Sequence, residues 1–159
     1  MTMFDLYIDS DGVLADFDAL AYEILGQRRI HEVPKGTLWS AIERHGSFFA
    51  SLPLMEGADR LVDFVTVPGR FASVGVLTAT GHTPADAGQQ KRTWYSAWRP
   101  DLTVHVVTKS PDKAAFAHPR AILIDDRAKS IDPWVAAGGI GILHTSVEDT
   151  IDRLRAFIA

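Results

Sequence analysis

The chain has 159 residues, 47% hydrophobic and 23% charged, with a formal net charge of -4 and no cysteine. That length and balance suit a single globular domain with an apolar core and exclude a disordered chain or a long membrane-spanning run. The missing cysteines exclude disulfides, thiolate zinc sites and cysteine nucleophiles, and the interspersed charges, with no basic tract, speak against polymeric nucleic acid as a partner. The opening Met1-Thr2-Met3-Phe4-Asp5 has neither the basic region nor the apolar run of a signal peptide, so the expected location is cytoplasmic, with no membrane partner.

Phe4-Asp5-Leu6-Tyr7-Ile8 predicts a short buried strand that ends abruptly in Asp9-Ser10-Asp11-Gly12. If extended geometry continues past Ile8, Asp9 and Asp11 fall on one face with Ser10 turned away, and Gly12 permits a tight turn. Two carboxylates held together call for a cation, a shared proton or a basic partner, and Mg²⁺ is the usual answer. A helix-loop-helix calcium site is rejected, because the frame that fits Asp9, Asp11 and Gly12 puts Tyr7 where the first carboxylate belongs.

Phe17, Leu20, Ala21, Ile24 and Leu25 then recur at helical spacing behind Asp16, which reads as an N-cap. Residues 17–53 show little strand character and are broken by Pro34, Gly36 and Gly46, which predicts a small helical cap inserted after the first strand. Its aromatics Trp39, Phe48 and Phe49 admit two readings, the cap's own core or a slot that stacks a planar base.

Residues 1–16 and 54–159 are expected to form the main body. A helix carrying Ala58, Leu61, Val62 and Val65 precedes a second buried strand over 71–77, which runs into Thr78-Ala79-Thr80-Gly81. A hydroxyl and free backbone N–H groups at a strand's end, followed by a helix, make a phosphate cradle, with Thr78 and Ala79 as its candidate residues. Thr83-Pro84-Ala85-Asp86 reads as a capped helix start, with Ala87, Trp94 and Trp98 inward and with Lys91 and Arg92 solvated.

A third strand covers 102–107. Ser110-Pro111-Asp112-Lys113 then reads as a helix start, where a cation opposes the helix dipole by about 0.3 to 1 kcal/mol unless an anion faces it. Lys113 is therefore a candidate anion partner, with Lys109 its rival. Ala121-Ile122-Leu123-Ile124 is a buried strand that ends in Asp125-Asp126-Arg127, so two strands deliver acids to one edge. A helix stopping at Gly138-Gly139, a strand over 140–143 and a helix capped by Ser146 complete the chain. The six histidines are scattered without metal-ligand spacing.

Strands alternating with helices predict a three-layer α/β fold with a doubly wound parallel sheet. The run from Asp9 to Phe17 resembles the first motif of the haloacid dehalogenase superfamily of phosphatases, and of its 5'(3')-deoxyribonucleotidases in particular. Thr78, Asp112-Lys113 and Ile122-Leu123-Ile124-Asp125-Asp126-Arg127 are similar to the second, third and fourth motifs. Pro111 departs from the arginine that the family has before its Asp-Lys pair.

The resemblance implies Mg²⁺-dependent hydrolysis of a small phosphomonoester through an aspartyl-phosphate, with a nucleoside monophosphate as the expected substrate. Asp9 would be the nucleophile and Asp11 the general acid/base. Asp9, Asp11, Asp125 and Asp126 would lie at the metal, Thr78, Ala79 and Lys113 at the phosphate, and Trp39, Phe48, Phe49 and Thr80 at the substrate. The rival readings are a phosphatase for another small metabolite and an idle member that only binds.

Overall fold

The computed structural model describes residues 2–158. Five short apolar runs form the strands β1 (Asp5–Ile8), β2 (Ser73–Ala79), β3 (Thr103–Val107), β4 (Ala121–Asp125) and β5 (Ile140–Leu143). They make one parallel sheet in the order β3-β2-β1-β4-β5. The order reverses at β1, which pairs with β2 on one side and β4 on the other, with Ile8 level with both Val76 and Ile124. In open parallel sheets, ligands bind outside the carboxyl ends of the strands at such a switch point.

Alternation along the strands feeds two cores. Leu6, Ile8, Val76, Ile122, Ile124 and Ile142 pack against α3 (Ala58–Val65), α4 (Ala87–Trp98) and α6 (Val147–Leu154). On the other face, Tyr7, Leu77 and Leu123 pack against Trp134 of α5 (Ala128–Ala136) and Phe116 of a 3-10 helix over Ser110–Phe116. This is the three-layer α/β architecture that the sequence pattern predicts. Among the described residues no helix is long and apolar enough to cross a membrane.

A third core belongs to the segment that leaves the sheet after β1. It contains α1 (Phe17–Ile24) and α2 (Lys35–His45), and it gathers Leu20, Ala21, Leu38, Ile42, Phe48, Phe49 and Leu52 around Phe17, with Ala87 and Trp94 of α4 at its border. The chain goes out and back through one antiparallel bridge, Ala15 to Leu54, tied by Asp16 N–H to Pro53 O at 2.8 Å and Met55 N–H to Leu14 O at 2.8 Å. Asp16 caps α1, its Oδ1 accepting from Ala19 N–H at 3.0 Å.

The helix expected from Pro84 begins instead at Ala87, and its buried residues are Ala87, Gln90, Lys91 and Tyr95 rather than the two tryptophans. Trp94 and Trp98 are only half-buried. Their indole N–H groups donate to Leu52 O and Asp59 Oδ1.

Candidate active site

β1 and β4 are neighbours in register, so Asp9, one residue past β1, and Asp125, the last residue of β4, meet at the carboxyl edge of the sheet. Both are buried, and a backbone bond from Asp9 N–H to Ile124 O at 2.8 Å pins the first acid to the second strand. Carboxylate oxygens of Asp9, Asp125 and Asp126 all lie within 4.8 Å of one another. Gly12 makes this approach possible: it sits at φ +85°, and a Cβ there would overlap the carboxylate of Asp126.

Lys113 closes the group from the 3-10 helix. Its ammonium donates to Asp9 Oδ1 at 2.8 Å and to Asp125 Oδ2 at 2.7 Å, and its side chain is 2% exposed. The expected place in a first helical turn is not what the fold provides: Lys113 falls in the last turn of this short helix, where the dipole does not oppose a cation, and its partners are a pair of buried aspartates. The rival Lys109 is exposed, and its backbone N–H is capped by Asp112 Oδ2 at 2.9 Å.

Burial pushes the Asp9 carboxyl up to about 8; Lys113 opposes the rise while Asp125 and Asp11 add to it. For Lys113, burial alone would favour loss of the proton, but Asp9 and Asp125 outweigh it and hold the ammonium above its ordinary range.

Asp11 stands apart from the three-carboxylate group. The strand ends at Ile8 and the chain bends at Ser10, so extended geometry does not persist and Asp9 and Asp11 turn to different lysines. Asp11 Oδ2 accepts from Lys91 at 2.7 Å, and its Oδ1 is buried with no hydrogen-bond partner among the described residues. Lys91 is 2% exposed, so the expectation of a solvated lysine fails. It sits one helical turn from both Ala87 and Tyr95, the spacing that could have placed it inside.

At the end of β2, the Thr78 hydroxyl is buried and accepts from Lys91 at 2.7 Å, which leaves its own O–H free to donate to an anion. Ala79 O receives a longer bond from the same ammonium at 3.4 Å. The free backbone donors expected beyond it are engaged: Thr80 N–H bonds Val107 O at 3.0 Å and Gly81 N–H bonds Thr108 O at 2.8 Å. The Thr80 hydroxyl also turns to backbone carbonyls, those of Gly81 and Val107.

The cap aromatics separate. Phe48 and Phe49 are 0% and 3% exposed, and both rings pack on Phe17, with centroids 5.1 and 6.1 Å away. They fill the cap's core, and neither offers a free face to a base. Trp39 is half-buried at the edge of the same cluster.

No protein-family profile matches the chain, and no curated protein sequence does. Solved structures do match. A hydrolase from Streptococcus pneumoniae TIGR4 gives a TM-score of 0.59 at 17% identity, over 98% of this chain and 100% of that one. A HAD family hydrolase from Deinococcus radiodurans R1, with bound phosphate and sodium, gives 0.58 at 16% identity over 96% and 88%. L-2-haloacid dehalogenase from Xanthobacter autotrophicus gives 0.58 at 12% identity over 99% and 85%.

Identities this low establish a shared backbone and leave the reaction to be argued from the site. The chain has the fold of the haloacid dehalogenase-type hydrolases, with a buried lysine and a cluster of three aspartates at the carboxyl edge of its sheet.

Proposed function

We propose that the protein is a divalent-metal-dependent phosphomonoester hydrolase that works through an aspartyl-phosphate on Asp9. The observation that supports this is the meeting of Asp9, Lys113, Asp125 and Asp126, drawn from both ends of the chain, at one point on the sheet edge. Four carboxylates, counting Asp11, face two ammonium groups there, which leaves two negative charges uncompensated when all are ionised. The oxygen-only donor set of Asp9, Asp125 and Asp126 suits a hard ion such as Mg²⁺, and these three residues would hold it. When bound, the ion screens the nucleophile from an anionic substrate and draws charge from the phosphoryl oxygens.

An Asp9 carboxylate oxygen attacks phosphorus, and the bond from phosphorus to the leaving oxygen breaks with its electron pair going to that oxygen. Asp11 supplies the proton that completes the alcohol. Asp11 then takes a proton from the water that attacks the same phosphorus, which releases inorganic phosphate and restores Asp9. Lys113 and the Thr78 hydroxyl stabilise the phosphoryl oxygens in both steps.

The substrate class we favour is the nucleoside monophosphates, supported by the likeness of the four motifs to the deoxyribonucleotidases and by the partly open Trp39. Burial of Phe48 and Phe49 favours a second reading, a phosphatase for another small metabolite with a cap whose aromatics only pack.

Phosphate release from a panel of nucleoside 5'- and 3'-monophosphates, sugar phosphates and simple esters, with Mg²⁺ or EDTA, tests the proposal. Turnover is expected with Mg²⁺ and a loss of about 100-fold or more in EDTA. Release of no phosphate from any ester, with any divalent ion, would leave only a binding role. Trp39→Ala is expected to raise KM for nucleotides several-fold, by roughly 1 kcal/mol of lost stacking, with little change for a small generic ester. Equal effects on both substrates would select the second reading.

A further inference from the structure

We infer that Lys91 is a positioning residue for the proton-transfer step, setting Asp11 and the Thr78 hydroxyl together; the inference rests on the phosphatase reading above. Lys91 lies on α4, outside the strand-end segments that carry the four motifs, yet its ammonium is among the most deeply buried charges in the molecule. It donates to Asp11 Oδ2 at 2.7 Å, Thr78 Oγ at 2.7 Å and Ala79 O at 3.4 Å. An ammonium has three N–H donors, and all three are engaged by protein groups. The Phe49 ring covers the ammonium at 5.0 Å, which gives that cap residue a place in the site other than base stacking.

The consequence for Asp11 is orientation. One of its oxygens is tied to a buried cation, and the other is buried without a partner among the described residues. A carboxyl group held in this way presents a single free oxygen in a fixed direction, which carries the proton given to the leaving group and, once ionised, takes one from the attacking water. The consequence for Thr78 is similar: accepting from Lys91 turns its own O–H toward another acceptor. One helical turn on, the Tyr95 hydroxyl donates to Ser10 Oγ at 2.8 Å and braces the residue between Asp9 and Asp11. Helix α4 thus holds the acid loop at two points, and Lys91 acts through Asp11 rather than on the ester itself.

A leaving-group comparison separates positioning from mere packing. An alkyl phosphate such as glycerol phosphate needs a proton on its leaving oxygen, whereas p-nitrophenyl phosphate expels a weakly basic phenolate that needs none. In the folded, Mg²⁺-loaded protein, Lys91→Met is expected to lower kcat/KM for the alkyl ester by on the order of 100-fold or more. The loss on the aryl ester is expected to stay within about tenfold, and the inhibition constant of inorganic phosphate within about threefold.

Equal losses on the two esters, or phosphate inhibition weakened by more than about tenfold, would overturn the inference, the second by making Lys91 a direct anion ligand. Lys91→Gln replaces the methionine variant if that one does not fold. In an Asp11→Asn background, where the ammonium has lost its counter-charge, Lys91→Met should add no further alkyl-selective loss; an additive loss also overturns the inference. Where the wild-type protein is slow on glycerol phosphate, the best alkyl ester of the panel above takes its place, and a wild type inactive on every ester of that panel would instead count against the phosphatase reading itself.

Discussion

Asp9→Asn is expected to abolish phosphate release, by on the order of 10⁴-fold or more, while leaving the fold intact. The amide keeps the shape of the carboxyl, its oxygen still accepts from Lys113, and the backbone bond from residue 9 to Ile124 O does not depend on the side chain. What disappears is the nucleophile. Wild-type protein quenched in acid during turnover should carry phosphate bound covalently and labile to alkali, and the variant should carry none. Full activity in Asp9→Asn would remove Asp9 from the chemistry.

Stability gives the same substitution a second readout. The folded protein holds the Asp9 carboxyl at about 8, against an ordinary value of 3.8, because burial disfavours the charge. A folded value above the unfolded one means that the native state keeps its proton longer. The stabilisation is complete below pH 3.8 and is lost as pH rises through about 8. In EDTA, wild-type protein should therefore lose stability to urea between pH 5 and pH 8 more steeply than Asp9→Asn, which has no proton to lose there. Parallel curves would mean that Asp9 ionises freely in the fold.

The sheet was legible because each strand is an apolar run stopped by residues that cannot stay buried without a partner. Ile8 before Asp9 and Ile124 before Asp125 locate the two strand ends, and parallel order then puts both acids on one edge. The inward face of α4 was not legible in the same way. Trp94 and Trp98 carry most of the apolar weight of that helix, and a reading by hydrophobicity turns it roughly 40° away from the face formed by Ala87, Lys91 and Tyr95. A lysine reads as solvated until its partners are seen, and Asp11 and Thr78 are 80 and 13 residues away.

The split between Asp9 and Asp11 was hidden for a related reason. Two residues apart means one face only while the strand lasts, and the strand stops at Ile8. Phe48 and Phe49 show a different limit, since a packed core and a stacking slot use the same side chains. Only burial against Phe17 tells them apart.

Lys113→Met is expected to be the most destabilising of these changes in the absence of metal. Lys113 is the cation between two buried carboxylates, and methionine fills its volume without its charge. Breaking a buried ion pair from one side strands the other charges, at a cost of about 3 to 5 kcal/mol. Because the folded protein raises the lysine's affinity for its proton, the ammonium itself persists through neutral and mildly alkaline pH, and the stability it contributes is lost only as pH climbs through the range above 10.5.

A divalent ion offers the stranded carboxylates another partner. Mg²⁺ should therefore restore more stability to Lys113→Met than it adds to wild type; at 100 times its dissociation constant an ion bound only by the folded state contributes about 2.7 kcal/mol. Turnover should stay low even when the fold is restored, by on the order of 100-fold or more, because the transferring phosphoryl group has lost a fixed positive neighbour. Urea melts of both proteins, with EDTA and with Mg²⁺, set beside kcat on the best ester, separate the two roles. A variant as stable as wild type in EDTA would show that Asp9 and Asp125 do not need the lysine to stay buried, and one with wild-type kcat would remove Lys113 from the phosphate.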